Sequence, residues 1–186
     1  LVGGKEDDKN FVYLAYNKPR ALATEDIKIN NLPAGNGRVF PLGRLDKESE
    51  GLILLTNDGR VTDRLLNPKY EHEKEYEVEV KEKVSPMHKK ILEGGILSRV
   101  SVGGPRLKTE KLKAKEVEIT SPNSMTIILT EGKKHQIRRM LDGAHLTVRS
   151  LRRVRIMHIK LGNLRPGQSR ELKGGELKTF LSIVGL

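Results

Sequence analysis

The side chains able to do chemistry in this sequence are few, and most familiar catalytic arrangements are missing. The five histidines, His72, His88, His135, His145 and His158, stand at no spacing typical of a metal site, and no pair of carboxylates flanks one. No metal is expected. The chain has no cysteine, so it offers neither a thiolate ligand, a Cys nucleophile nor a disulfide, which points to a reducing, cytosolic setting. The phosphate loop G-x-x-x-x-G-K-S/T and the dinucleotide fingerprint G-x-G-x-x-G are both absent, as are serine nucleophile motifs. One acid, Asp46, occupies the polar loop Gly43 to Glu50 and leads directly into the apolar stretch Gly51 to Thr56. Taken alone it reads as a solvated loop residue, as charged loop residues usually are.

The charge of the whole chain is more telling. Lys plus Arg number 35 against 24 Asp plus Glu, a formal charge of +11 over 186 residues, and a polyanion such as nucleic acid becomes the expected partner. The excess is clustered. Lys133 to Arg155 holds eight basic residues (Lys133, Lys134, Arg138, Arg139, Arg149, Arg152, Arg153 and Arg155) against the single acid Asp142. Lys133, Lys134, Arg139, Arg149, Arg152 and Arg153 of this segment, together with Arg44, are the candidates for contacts to a nucleic-acid backbone. Aromatic residues make up only 4% of the chain, too few for a grip based on base stacking, so electrostatics must supply most of the affinity.

These groups need a scaffold. The length suits one domain or two small halves sharing a core, and it is long enough to fold without staples. No apolar run approaches the roughly 18 residues of a bilayer span, so no membrane association is expected. Phe11 to Tyr16 is an apolar strand ending at Asn17-Lys18-Pro19, and Pro33 to Gly37 is a loop. Gly51 to Thr56 is a core strand, Asn57-Asp58-Gly59 a turn, and Val61, Leu65 and Leu66 mark a short helix stopped at Asn67-Pro68. Glu73 to Lys81 alternates strictly, placing Tyr76, Val78 and Val80 on the inward face. Ser85-Pro86 opens a helix that Gly94-Gly95 ends. Strands are expected at Leu112 to Ile119, Met125 to Leu129 and Val154 to Leu161, and a helix from Gly132 through Leu141 with Gly143 as its cap. Leu177, Phe180, Leu181 and Val184 give the closing helix its apolar stripe. Strands with interspersed helices and no regular βαβ alternation indicate an α+β fold.

Seventeen consecutive residues, Gly43-Arg44-Leu45-Asp46 through Asn57-Asp58-Gly59, resemble the catalytic-aspartate motif of bacterial RNA pseudouridine synthases of the RsuA/RluB/RluE/RluF branch. Three further blocks stand in that family's order: Asn17-Lys18-Pro19-Arg20, then His72-Glu73-Lys74-Glu75-Tyr76, then Glu131 to Met140. The likeness runs from about Phe11 to the final helix and includes Leu151 to Met157; the His-Glu-Lys-Glu-Tyr form is similar to the RluF subgroup.

The resemblance implies a long, mostly antiparallel mixed sheet in two halves, dividing near residues 70–80, with flanking helices and a central cleft. It implies isomerisation of uridine to pseudouridine in structured RNA, with large-subunit (23S) rRNA favoured and small-subunit rRNA and tRNA behind it, no cofactor, and a monomeric enzyme. Asp46 matches the essential aspartate; attack on the sugar, addition to the base and removal of a sugar proton stay open as its role, and all three need it ionised. Arg138 matches the basic residue expected to keep that carboxylate charged in a cleft. Tyr76 matches the tyrosine that stacks on the target base. His135 and Gln136 are read as fixing the motif's geometry rather than reacting.

The chain departs from the pattern at Ala21, where relatives often have glycine, and at Glu75, where many have threonine. Residues 1–10 form a tail or linker, either the remnant of an S4 RNA-binding domain that many relatives carry or the start of a single-domain member. A basic rRNA-binding module of the same fold that turns nothing over is the alternative function. Asp46 discriminates, since a phosphate binder gains nothing from an acid in a basic cleft.

Overall fold

Apolar runs of strand length and stretches of helical period alternate along this chain. In the computed structural model, which describes residues 11–29, 38–101 and 107–186, they become eleven strands and four helices. These are β1 (Tyr13–Lys18), β2 (Phe40–Leu42), β3 (Glu50–Thr56), α1 (Val61–Leu66), β4 (Lys74–Val80), α2 (Pro86–Gly94), β5 (Ile96–Ser101) and β6 (Leu107–Leu112). They continue as β7 (Glu116–Ser121), β8 (Ser124–Leu129), α3 (Gln136–Gly143), β9 (Val148–Ile156), β10 (Ile159–Lys160), β11 (Ser169–Glu171) and α4 (Gly174–Ile183). The expected tail at residues 1–10 and the loop at Pro33 to Gly37 lie outside the described residues.

Nine strands form one sheet in the order β11-β1-β3-β9-β4-β8-β7, with β2 on β3 and β10 on β9, while β5 and β6 pair as a separate hairpin. Every described pairing is antiparallel except β3 with β9, and that seam is two residue pairs long: Glu50 with Arg152 and Gly51 with Arg153. Gly51 makes it possible. Its φ is +109°, and a methyl group there would sit 2.3 Å from the Arg153 carbonyl oxygen, so only glycine lets the two strands approach.

Each half has its own core. β1 and β3 are covered on both faces, which is why their sequences are continuously apolar rather than alternating. Tyr13, Ala15, Leu52 and Leu54 meet Phe180 of α4 and Val184 just beyond it on one side, and Val12, Leu14, Tyr16, Ile53 and Leu55 close the other. In the second half the inward face of β4 (Tyr76, Val78 and Val80) packs with Met125 and Ile127 of β8, Leu92 of α2, and Ile137, Met140 and Leu141 of α3. The chain crosses to this second core at β4 and returns to the first at the end of β9, with Ile156 and Met157.

Several expected elements change their limits: the strand expected over Phe11 to Tyr16 is Tyr13–Lys18, with Asn17 and Lys18 still paired to β3. The strand expected over Leu112 to Ile119 is two strands, because β6 ends at Leu112 and β7 begins at Glu116. The one expected over Val154 to Leu161 is the end of β9 and the start of β10, reversed at Met157, whose φ is +54°. The third helix starts at Gln136, not Gly132, because the Gln136 side chain closes the approach as a turn. Its Oε1 accepts from the Lys133 N–H (3.0 Å) and its Nε2 donates to Glu131 Oε1 (2.7 Å).

Candidate active site

The loop from Gly43 to Glu50 enters the seam from β2 and carries Asp46 at its tip. Both peptide carbonyls flanking Asp46 are held from the segment after β1. Thr24 Oγ1 donates to Leu45 O (2.7 Å) and accepts from the Leu45 N–H (3.1 Å), and the Ala21 N–H donates to Lys47 O (2.8 Å). Lys18, fully buried, aims its ammonium at Leu22 O (2.6 Å), Pro19 O (3.0 Å) and Lys47 O (3.4 Å). Burial pushes this amine below the usual lysine range, while the carboxylates of Asp46, Glu48 and Glu50 oppose that shift. The Ser49 N–H donates to Asp46 O (2.9 Å), closing the loop as a turn. The backbone is thus fixed from several sides, and the Asp46 carboxylate projects, one-third exposed, toward the second half.

It projects into a cavity of about 540 Å³ between the halves. Asp46, Tyr76 and Arg138, from three separate sequence blocks, all line it. Tyr76 comes from the inward face of β4 and Arg138 from the first turn of α3. The Arg138 guanidinium spans the gap: its Nη2 donates to Glu48 O (3.1 Å) and Ser49 Oγ (3.2 Å), so it clamps the loop just beyond Asp46. The group within ion-pair distance of the Asp46 carboxylate is instead His135, whose Nε2 lies 3.4 Å from Oδ1. His135 stands just before α3 with φ of +50°, a left-handed conformation uncommon outside glycine.

The candidates for RNA contacts separate into three groups. Arg44, Lys133 and Lys134 line the cavity. Arg153 also lines it but is only 4% exposed, so it is corrected from a surface contact to a buried strut. Its Nε donates to Leu52 O (2.7 Å), its Nη1 reaches Arg44 O (3.5 Å), and its guanidinium lies 6.0 Å from the centre of the Tyr76 ring. The third group is committed elsewhere. Arg139 is bound to Glu110 Oε1 (2.7 Å) and Ser98 Oγ (3.0 Å), fastening the β5–β6 hairpin to α3. Arg149 and Arg152 face away from the cleft beside Glu79 (3.6 Å) and Glu77 (4.0 Å).

Lys74, which is not among the candidates drawn from the sequence, lines the cavity with Tyr76 and Arg153. The signal was available: it continues the inward parity of Tyr76, Val78 and Val80 by one more step. Desolvation, reinforced by the neighbouring Arg153 charge, pushes its ammonium down to about 8. Among the described residues no group of His, Cys, Asp and Glu is arranged to hold a metal ion.

Comparison with known proteins agrees with this architecture. The family model for RNA pseudouridylate synthase matches residues 8–142. The chain is 37% identical over 189 residues to YtzG, an RNA pseudouridine synthase of Bacillus subtilis, covering 95% of this chain and 76% of that one. It is 36% identical over 181 residues to the dual-specificity RNA pseudouridine synthase RluF of Escherichia coli K12, covering 95% of this chain and 59% of RluF. A crystal structure of a pseudouridylate synthase superposes with a TM-score of 0.80 at 27% identity, over 95% of this chain and 74% of that one. The chain thus spans between 59% and 76% of the length of these curated relatives, with the aspartate loop, the β4 tyrosine and the α3 arginine all inside the matched region. On sequence, fold and the convergence of these three blocks, this chain belongs to the RNA pseudouridine synthase family.

Proposed function

We propose that this chain isomerises a specific uridine to pseudouridine in structured RNA, with large-subunit rRNA as the substrate and the cytosol as its setting. The observation that carries the reading is the meeting of Asp46, Tyr76 and Arg138 in one cavity. Substrate and product are isomers: the C1′–N1 bond breaks, a C1′–C5 bond forms, C5 loses a proton and N1 gains one. Nothing is oxidised and no energy carrier is consumed, so the residues of the cleft are asked only to hold, ionise and shield.

Asp46 is the reacting group. It stands as a carboxylate on a loop whose backbone cannot drift, opposite the Tyr76 ring, which offers the uracil a flat apolar support. Arg138 keeps the loop closed through Glu48 O and Ser49 Oγ and adds positive potential near the carboxylate. A uridine must leave its stack to enter, at a cost of about a few kcal/mol. Phosphate contacts from Arg44, Lys133 and Lys134 at the cavity's edge offset that cost.

The substitution Asp46→Asn tests this directly. It is expected to leave RNA binding and folding intact and to abolish tritium release from C5-labelled uridine in rRNA. Persisting release would sink the assignment, and normal release requiring neither Asp46 nor Tyr76 would place the chemistry elsewhere. Wild-type binding without any release would favour the non-catalytic rRNA-binding reading.

A further inference from the structure

Cations around the cleft fall into two classes. Those outside are paired: Arg155 with Glu75 (2.6 Å) and Glu73 (3.1 Å), Arg139 with Glu110 (2.7 Å), Lys115 with Glu73 (2.5 Å). Inside, Arg44 and Lys133 keep carboxylate partners (Glu25 at 3.7 Å, Glu131 at 3.1 Å), whereas Lys74, Arg138 and Arg153 line the same cavity with no carboxylate within ion-pair distance among the described residues, against the single lining acid Asp46. Arg138 Nε and Arg153 Nη2 are buried donors without a partner, and Lys74 makes the fewest hydrogen bonds of the three. Its ammonium has three protons to donate, and its described hydrogen bond is a long one, 3.4 Å to His72 O.

Buried like charges without a counterion are costly, so a cavity built this way is complementary to an anion that arrives from outside. Uracil and ribose are neutral. The anionic group of RNA is its phosphodiester. We propose that Lys74 is a substrate-binding residue whose ammonium receives a phosphate of the uridine nucleotide that enters the cleft. Arg153, buried behind it, biases the site toward negative charge while holding the Tyr76 ring and the Asp46 loop. This assignment rests on the cleft being the uridine site and adds a contact to it: the base is gripped at Tyr76 and the nucleotide's charge at Lys74.

The experiment compares binding of uridine, uridine 5′-monophosphate and uridine 3′-monophosphate to the full chain by NMR titration, for the wild type, Lys74→Met and Lys74→Arg. The wild type is expected to bind one of the monophosphates about tenfold more tightly than uridine, the gain of one charge-assisted contact. Lys74→Met should erase that preference with uridine affinity unchanged, and Lys74→Arg should keep most of it. A preference that survives Lys74→Met, an equal loss for nucleoside and nucleotide, or no preference in the wild type would each overturn the proposal. If the monophosphate binds and uridine does not compete with it, the reading of the cleft as a uridine site fails while the Lys74 contact is still measured.

Raising the pH sharpens the test. Arg153 on β9, Arg44 and Asp46 on the loop, and Arg138 on α3 share the cavity with Lys74, as do Lys133, Lys134 and His135 before α3. Because the Lys74 ammonium lies near 8, the wild-type preference should shrink as pH rises from 7 to 9.5. In Lys74→Arg, which stays charged, it should persist, and a parallel decline in both proteins would assign the effect to another group.

Discussion

β4 and β9 run side by side and show two different faces. On the outer face glutamates alternate with arginines across the ladder: Glu79 beside Arg149, Glu77 beside Arg152, and Glu75 and Glu73 on Arg155. On the inner face the same strands place Lys74 and Arg153 in the cleft without a carboxylate. The residue types are alike, and the strand parity assigns them opposite tasks. The outer cations are neutralised by their own fold and have little charge to give a ligand. The inner ones are held by burial and backbone carbonyls, which fixes their position and leaves their charge uncompensated. A basic run in a sequence is therefore a poor count of phosphate contacts; the side of the strand and the presence of an acid across the ladder decide.

The contrast can be broken most severely from inside. Arg153→Met removes the strut that ties Leu52 O, Arg44 O and the Tyr76 ring together, and a displacement of about 1 Å in either wall is expected to lower kcat by about 100-fold. RNA affinity at the rim should change far less. Steady-state tritium release, read beside a binding isotherm, checks this, and equal losses in both would mean the arginine acts as an ordinary phosphate contact.

On the outer face the largest effect should fall on stability. Arg155→Met leaves Glu73 and Glu75 without their shared partner and is expected to cost about 1–3 kcal/mol in denaturant unfolding, with kcat of the folded enzyme unchanged. The ladder also carries a pH signature. The Lys115 ammonium, followed by the Arg155 guanidinium, holds the Glu73 carboxyl below the usual glutamate range. A lowered pKa means the stabilisation is fully present above the ordinary carboxylate pKa and is lost as pH falls through the folded value. Lys115→Met should flatten the acid limb of the stability curve most and Arg155→Met less, and a limb unchanged in both variants would count against these pairs.

Smallest are the effects of the exposed pairs. Arg149→Ala and Arg152→Ala should each alter stability by less than about 0.5 kcal/mol and leave the salt dependence of RNA binding as it is. Lys134→Ala, at the cavity, should reduce the slope of log affinity against log salt by about 0.7, and Lys133→Ala by less, because Glu131 stands 3.1 Å from its ammonium. Identical slopes for the two sets would erase the distinction between the faces.

How much of this was readable beforehand follows from the same physics. β1, β3 and β4 were legible because their burial is complete or strictly alternating, and α4 because its apolar stripe covers a core. The β5–β6 hairpin was not. Its strands mix lysines and serines with the exposed Leu97 and Leu107, so no period emerges. β9 was hidden by its own arginines, which read as a solvated basic face although Arg153 is in the core. At the site, Asp46, Tyr76 and Arg138 were found through the family resemblance, since no spacing rule joins positions so far apart in the chain. Lys18, Lys74 and the approach of His135 to Asp46 depend on which carbonyls and charges surround them, and that information exists only once the strands are paired.

The two-pair seam at Gly51 also sets a dimension. The Asp46 loop leads into β3 and Tyr76 lies on β4, which is bound to β9, so the spacing between the two walls is gauged where β3 touches β9. A residue with even one side-chain carbon at position 51 would act as a shim, prising the jaws apart from their root while each jaw stayed individually intact. The width available to a nucleotide is calibrated by the smallest amino acid in the chain.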